Sequence, residues 1–433
     1  MRPICVAVAL VVLAGVASCG GDDDGPRAPD VARAVSTSFC SPLTYGGQGS
    51  PRFLVPLVGP LQGPFSDHGI QNAQAIKLVL QQRGWRAGDY GVGVQVCDES
   101  SADEAIDVAK CKRDAKAFAR NPSIVAVVGP SSSSCAATML PVVNDAAGGP
   151  LALAGIGSTY VGLTRAGPGV QEDDPERLYP TGRRSYFRTV AADDAQAAAA
   201  VLVAQRGGAR RTFALDDGTT YGQGAARAFQ ASARLAGLTP VGTARWDGEA
   251  RGYGPVAARI RQSGADVVYI AGLATSNGPR LIRDLRAGLG DRVQLMAPDG
   301  FNQPTAIVEG AGELAENFMV SLSAAPVRAL PPPGRRWAAE FRKRWGAAPC
   351  CYAVHAAQVM NLVLDAIASS DGHRADVLRN LQRASVRGGL VGDFHFDRYG
   401  DSTLTTVATY RIRGGKLRYE QTLEVPRELL TRR

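Results

Sequence analysis

The chain has 433 residues, 45% of them hydrophobic and 20% charged, which suits a globular protein of about two domains. The formal net charge is +8, but the basic residues are scattered and form no block of five or more. That argues against a nucleic-acid-binding stripe and for a solvated, arginine-rich surface.

The first eighteen residues, "MRPICVAVALVVLAGVAS", carry one positive charge, Arg2, and then an apolar stretch. The length is that of a signal peptide and is short for a membrane span. The polar run "GGDDDGPRAPDVARAV" after Cys19 predicts a flexible tether, so that residues 1–18 and 19–50 stand apart from the folded part. No later segment approaches 18 unbroken apolar residues, and no transmembrane helix is expected.

From Pro51 short apolar runs alternate with longer amphipathic ones. "RFLVPLVG" predicts a buried strand closed by Gly59, and "IQNAQAIKLVLQQRG" a helix stopped at Gly84. "VGVQVCD" predicts a strand and "DEAIDVAKCKRDAKAFAR" a helix; "SIVAVVG" and "PLALAG" are two more strands around the helix "AATMLPVVNDA". After "YFRTV" the alternation restarts with "TFALDD", "GQGAARAFQASARLAG", "DVVYIAG", "GPRLIRDLRAGLG" and "VQLMAPDG". Two similar α/β units follow, each with a parallel sheet covered by helices on both faces. Prolines in "SLSAAPVRALPPPG" break the order, helices resume at "RRWAAEFRKRWG" and "AVHAAQVMNLVLDAIASS", and the tail from Gly388 alternates as antiparallel strands do.

Ligands of open parallel sheets bind beyond the carboxyl ends of the strands. The loops "GPSSSS", "GIGST", "DDGTTYG" and "APDG" all sit there. The four serines after Pro130 can cap the following helix or seat a small anion, because a helix start offers free N–H groups. Enzyme motifs are missing: there is no G-x-S-x-G, no strand followed by G-x-G-x-x-G, and no G-x-x-x-x-G-K-[ST]. The four histidines, His68, His355, His373 and His395, lack the spacing of a metal pair, and no CxxC spacing supports zinc. With Cys5 and Cys19 set aside, an even six cysteines remain: Cys40, Cys97, Cys111, Cys135, Cys350 and Cys351. Outside the cytoplasm they predict disulfides, with at least one bridge among Cys97, Cys111 and Cys135. Cys350 and Cys351 are expected to be free or separately paired rather than joined to each other.

Two resemblances add to this reading. "VASC" resembles a bacterial lipobox, which implies cleavage before Cys19, lipidation of its thiol and a firm membrane anchor. The two α/β units with "GPSSSS", "GIGSTYVGLT", "YFRTV", "DDGTTYGQGAARAF", "DVVYIAG" and "MAPDG", in that order, resemble type I periplasmic binding proteins. The likeness runs from about Arg52 to the end and is closest to the branched-chain amino-acid group of ABC-transporter substrate-binding proteins. It implies a Venus-flytrap of two doubly wound α/β lobes joined by crossings near Tyr186–Thr189, Ser321–Ala325 and Gly392–Phe396. Lobe one would be residues 51–188 plus 323–393, and lobe two 189–322 plus 394–433.

The same resemblance implies a solute, an amino acid or a similar small polar molecule, as ligand and a membrane permease as partner. It implies no cofactor, no metal and no catalytic residue, and an extracytoplasmic site of action anchored through Cys19. The ligand's carboxylate would be held by Ser133 (hydroxyl and N–H), a backbone group of Gly157 or Ser158, and Thr159. Its ammonium would meet Asp299, flanked by Tyr221. Three departures alter the side-chain pocket: His68 stands where relatives have an aromatic wall, His355 where many have tyrosine, and Leu273 where tyrosine is frequent. A sensor built on the same flytrap is the alternative function, with a separate signalling partner because the chain ends at "RELLTRR"; an enzyme on this scaffold is a further one.

Overall fold

The computed structural model describes residues 29–102, 105–167 and 170–430. The signal-peptide segment and Cys19 lie outside the described residues. The first half contains β1 (Phe53–Gly59), α1 (Ser66–Gln82), β2 (Arg86–Ala87), β3 (Tyr90–Asp98), α2 (Val108–Arg120), β4 (Ala126–Val128), α3 (Ser133–Asn144), β5 (Ala152–Gly155) and β6 (Tyr186–Arg188). These strands form a six-stranded sheet in the order β2-β3-β1-β4-β5-β6. It is parallel apart from the short β2.

The second half continues with α4 (Asp193–Arg206), β7 (Arg211–Asp216), α5 (Thr220–Leu235), β8 (Thr239–Arg245), α6 (Gly254–Ser263), β9 (Val267–Ala271), α7 (Gly278–Leu289), β10 (Gln294–Ala297), α8 (Pro304–Ala311) and β11 (Met319–Leu322). Next come α9 (Pro332–Trp345), α10 (Ala353–Ala368), α11 (Arg374–Gln382), β12 (Ser385–Val386), β13 (Phe394–His395), β14 (Thr406–Arg413) and β15 (Lys416–Glu424). The second sheet has seven strands in the order β15-β14-β11-β10-β9-β7-β8. Its parallel part ends at β11, and β14 and β15 add antiparallel to that edge.

The unbroken apolar strands follow from burial on both faces. In β1, Phe53, Val55 and Leu57 enter one core cluster and Leu54 and Val58 the opposite one. In β9, Val268 and Ile270 face one cluster while Val267, Tyr269 and Ala271 face the other. Side chains alternate along a strand, so every position of β1 and β9 needs an apolar residue. Helices α9 to α11 return to the first lobe: Trp337, Phe341, Val363, Ile367 and Leu378 share the cluster of Phe53 and Leu57.

Three features depart from the sequence reading. Helix α2 starts at Val108 rather than near Asp103, because the Asp107 carboxylate accepts from the Lys110 N–H and caps it there. Part of the segment read as a tether lies along the open edge of β3. Ser41 N–H donates to Val96 O, Thr44 and Val94 exchange hydrogen bonds, and Cys40 is bridged to Cys97. That covers an edge that would otherwise expose unpaired backbone groups. Phe394 and Phe396 still belong to the first core, so the last passage to the second sheet falls between residue 397 and β14. A second disulfide, Cys111–Cys135, joins α2 to α3, and Cys350 and Cys351 are free thiols.

Candidate functional site

A cleft of about 810 Å3, its open mouth included, lies at the carboxyl ends of the strands of both sheets. From the first lobe it is lined by Phe65, His68, Asn72, Glu99, the serines 131–133 and Gly157. Tyr221, Leu273, Asp299, Gly300 and Asn302 face them from the second lobe, and Cys351 and Tyr352 precede α10.

The serines divide their work. Ser132 caps α3, its hydroxyl accepting from the Cys135 N–H at 3.1 Å. The Ser133 hydroxyl accepts from the Tyr160 N–H at 3.1 Å and remains on the cleft wall, with its O–H free to donate. Ser158 fastens the two loops together, since its hydroxyl reaches the carbonyls of Pro130 (2.8 Å) and Ser132 (2.9 Å). Gly157 allows this approach: a Cβ there would lie 3.0 Å from Ser131 O and 3.2 Å from the Tyr352 ring.

On the opposite wall, Asp299 is 9% exposed. Tyr221 donates to its Oδ1 and Tyr352 to its Oδ2, so one phenol from each lobe meets the same carboxyl group. The Tyr221 oxygen also accepts from the Gly300 N–H at 2.9 Å. Burial raises the Asp299 carboxyl above the ordinary value, against the lowering effect of the two phenols. Burial, and then the charge of Asp299, push Tyr221 and Tyr352 far upward, so both stay donors. Asp217 anchors the neighbouring loop by accepting from the Leu273 N–H at 2.8 Å.

Ser133, Gly157, Tyr221, Asp299, His68 and Leu273 thus share one cleft. Ser158, Thr159 and His355 do not line it. The Ser158 hydroxyl is spent between two carbonyls. Thr159 is fully buried and gives its carbonyl to the Asp193 N–H at 2.9 Å. His355 is 6% exposed and meets Thr189 Oγ1 at 3.0 Å, beside the first passage between lobes. Burial lowers it to about 4, so it is neutral. His68 is likewise lowered to about 4 by burial and stacks edge-on with Phe65. Both histidines are wall or support residues at neutral pH.

Sequence reasoning missed Tyr352 and Glu99. Tyr352 lies one helical turn before His355, and the tyrosine sought at 355 sits there instead. Glu99 follows β3 in "VCDES", a strand-end loop like those singled out. It is 1% exposed, and burial raises its carboxyl to about 8 although the amides of Ser131 and Ser132 partly offset this.

A buried ion network fastens the passages between the lobes. Arg188, at the end of β6, is fully buried and donates to Asp401 Oδ1 at 2.6 Å. It also donates to the carbonyls of Ser158 (3.2 Å) and Tyr160 (2.8 Å), which sets the loop carrying Gly157. Arg165 bonds Asp401 Oδ2 at 2.7 Å and pairs with Asp194 at 3.2 Å.

Two open, mostly parallel sheets facing each other over a largely apolar cleft that holds a few polar groups define a two-lobed binding protein. The chain belongs to the periplasmic binding protein family, which it matches over residues 54–416. A Leu/Ile/Val/Thr-binding protein of Salmonella typhimurium is 26% identical over 274 residues, covering 62% of this chain and 67% of that one. An amino acid binding protein of Pseudomonas aeruginosa is 25% identical over 366 residues, 82% of this chain and 89% of that one. The crystal structure of a leucine binding protein from Thermotoga maritima superposes with a TM-score of 0.71 at 18% identity, covering 86% of this chain and 99% of the other. The family is one of solute-binding proteins rather than enzymes and implies an extracytoplasmic location. Among the described residues, no helix is long and apolar enough to cross a membrane.

Proposed function

We propose that this chain is the solute receptor of an ABC importer, anchored outside the cell membrane through lipidated Cys19, and that it hands an amino acid or related small polar solute to a permease. Lobe one, residues 51–188 plus 323 to about 397, closes on lobe two, residues 189–322 plus the tail that carries β14 and β15. The solute's carboxylate takes hydrogen bonds from the Ser133 hydroxyl and the Gly157 loop, since a carboxylate needs only donors. Its ammonium meets Asp299, with Tyr221 and Tyr352 on either side. Ser158 and Thr159 hold the donor loop in place, His355 steadies Thr189 at the first passage between the lobes, and His68 and Leu273 form the pocket wall. Closure excludes water and strengthens these charged hydrogen bonds.

The reading rests on one observation: a carboxyl group on one lobe faces a donor-bearing loop on the other across a single cleft. The relatives named above, each an amino-acid binder by name, support it. A thermal-shift screen of amino acids tests it, because a ligand at 100 times its Kd raises stability by about 2.7 kcal/mol. The Asp299→Ala variant should bind the best amine-bearing hit more than about 30-fold more weakly, by stranding the ammonium. Unchanged affinity in that variant would remove the amino-acid reading.

A further inference from the structure

Three polar atoms on the first-lobe side of the cleft have no hydrogen-bond partner within the protein: Glu99 Oε2, Asn72 Oδ1 and Ser131 Oγ. All three residues line the cleft, and Glu99 and Asn72 are 1% and 2% exposed. Buried polar atoms are nearly always paired, so the solute is the natural partner for these. Asn72 Oδ1 is an acceptor by nature, and Glu99 Oε2 becomes one when a cation displaces the proton that burial holds on the carboxyl. An aliphatic side chain placed against them would leave both unsatisfied.

Charge points the same way. Among the described residues no lysine or arginine lines the cleft, while Glu99 and Asp299 both do. Lys110, on the neighbouring α2, is committed to Asp98 at 2.9 Å. Burial without a counter-charge explains why Glu99 holds its proton so far above the usual carboxylate range. A cation delivered to Glu99 supplies what the protein withholds.

We propose that Glu99, with Asn72 Oδ1, recognises a second cationic nitrogen on the solute, so that this chain takes a dibasic solute rather than an aliphatic amino acid. The inference rests on the reading above, in which one amine is held at Asp299. A basic amino acid and a diamine share the required chemistry, and the test separates them.

The purified full chain is titrated calorimetrically with L-lysine, with L-norleucine, which is the same skeleton without the ε-amine, and with cadaverine, which lacks the carboxylate. Lysine should bind at least about 10- to 100-fold more tightly than norleucine, and Glu99→Gln should collapse that ratio towards one. Cadaverine binding as tightly as lysine would assign the solute as a diamine, and weak cadaverine binding as a basic amino acid; either supports the role of Glu99. Norleucine matching lysine on the wild-type chain, with Asp299→Ala abolishing both, overturns the Glu99 assignment and leaves the amino-acid receptor standing. If none of the three binds the wild-type chain, the dibasic assignment and the amine at Asp299 fall together. The lysine-to-norleucine ratio is read on the wild-type chain, so the test does not depend on the variant folding.

Discussion

Replacing Asp401 by asparagine tests the ion network between the lobes most directly. Asp401 receives hydrogen bonds from Arg188 at 2.6 Å, Arg165 at 2.7 Å and Thr164 at 3.0 Å. Although burial would raise its carboxyl, the two guanidinium groups hold it down at about 2, against an ordinary 3.8. A lowered carboxylate contributes stability that is present above the unfolded value and is lost as pH falls towards the folded one. That drop corresponds to roughly 2 kcal/mol. The variant should lose more at neutral pH, because Arg188 is fully buried and would keep an uncompensated charge; breaking such a pair costs about 3–5 kcal/mol. Urea unfolding at pH 7 measures the loss. A second arm compares pH 5 with pH 2, where the wild-type advantage should shrink by about 2 kcal/mol. A loss below about 1 kcal/mol at pH 7 would show that the carbonyls of Ser158 and Tyr160 suffice to hold Arg188, and would refute the argument.

Two further outcomes follow from buried groups. Asp193 is fully buried and neither carboxylate oxygen makes a well-formed hydrogen bond; burial and the charge of Asp299 raise it well above 3.8, with the Thr159 hydroxyl only partly offsetting them. A raised carboxyl contributes stability at low pH that is lost as pH rises, so Asp193→Asn should melt higher than wild type at pH 8, with the gap closing towards pH 4. An identical gap at both values would contradict this. The Cys111–Cys135 bridge spans 24 residues, and both cysteines are fully buried among apolar side chains. The Cys111→Ala/Cys135→Ala double variant should lose about 3 kcal/mol in denaturant unfolding, and a loss near zero would count against a stabilising bridge.

The sequence alone determined the architecture, because burial on both faces of a parallel strand demands a continuous apolar run, and a run like Phe53–Val58 can be read without coordinates. It also marked the strand ends that line the cleft, through "GPSSSS" and "APDG". The periodicity that reveals strands says nothing about which polar groups meet. Arg188 and Asp401 are 213 residues apart, and only the return of the chain to the first lobe joins them. His355 and Tyr352 differ by one helical turn, and the packing of α10 decided which enters the cleft. Glu99 and Asn72 are ordinary polar residues in sequence, and only the packing of the cleft wall leaves one buried oxygen of each without a partner. Local pattern records which face is buried; the choice of long-range polar partners is made when the elements pack.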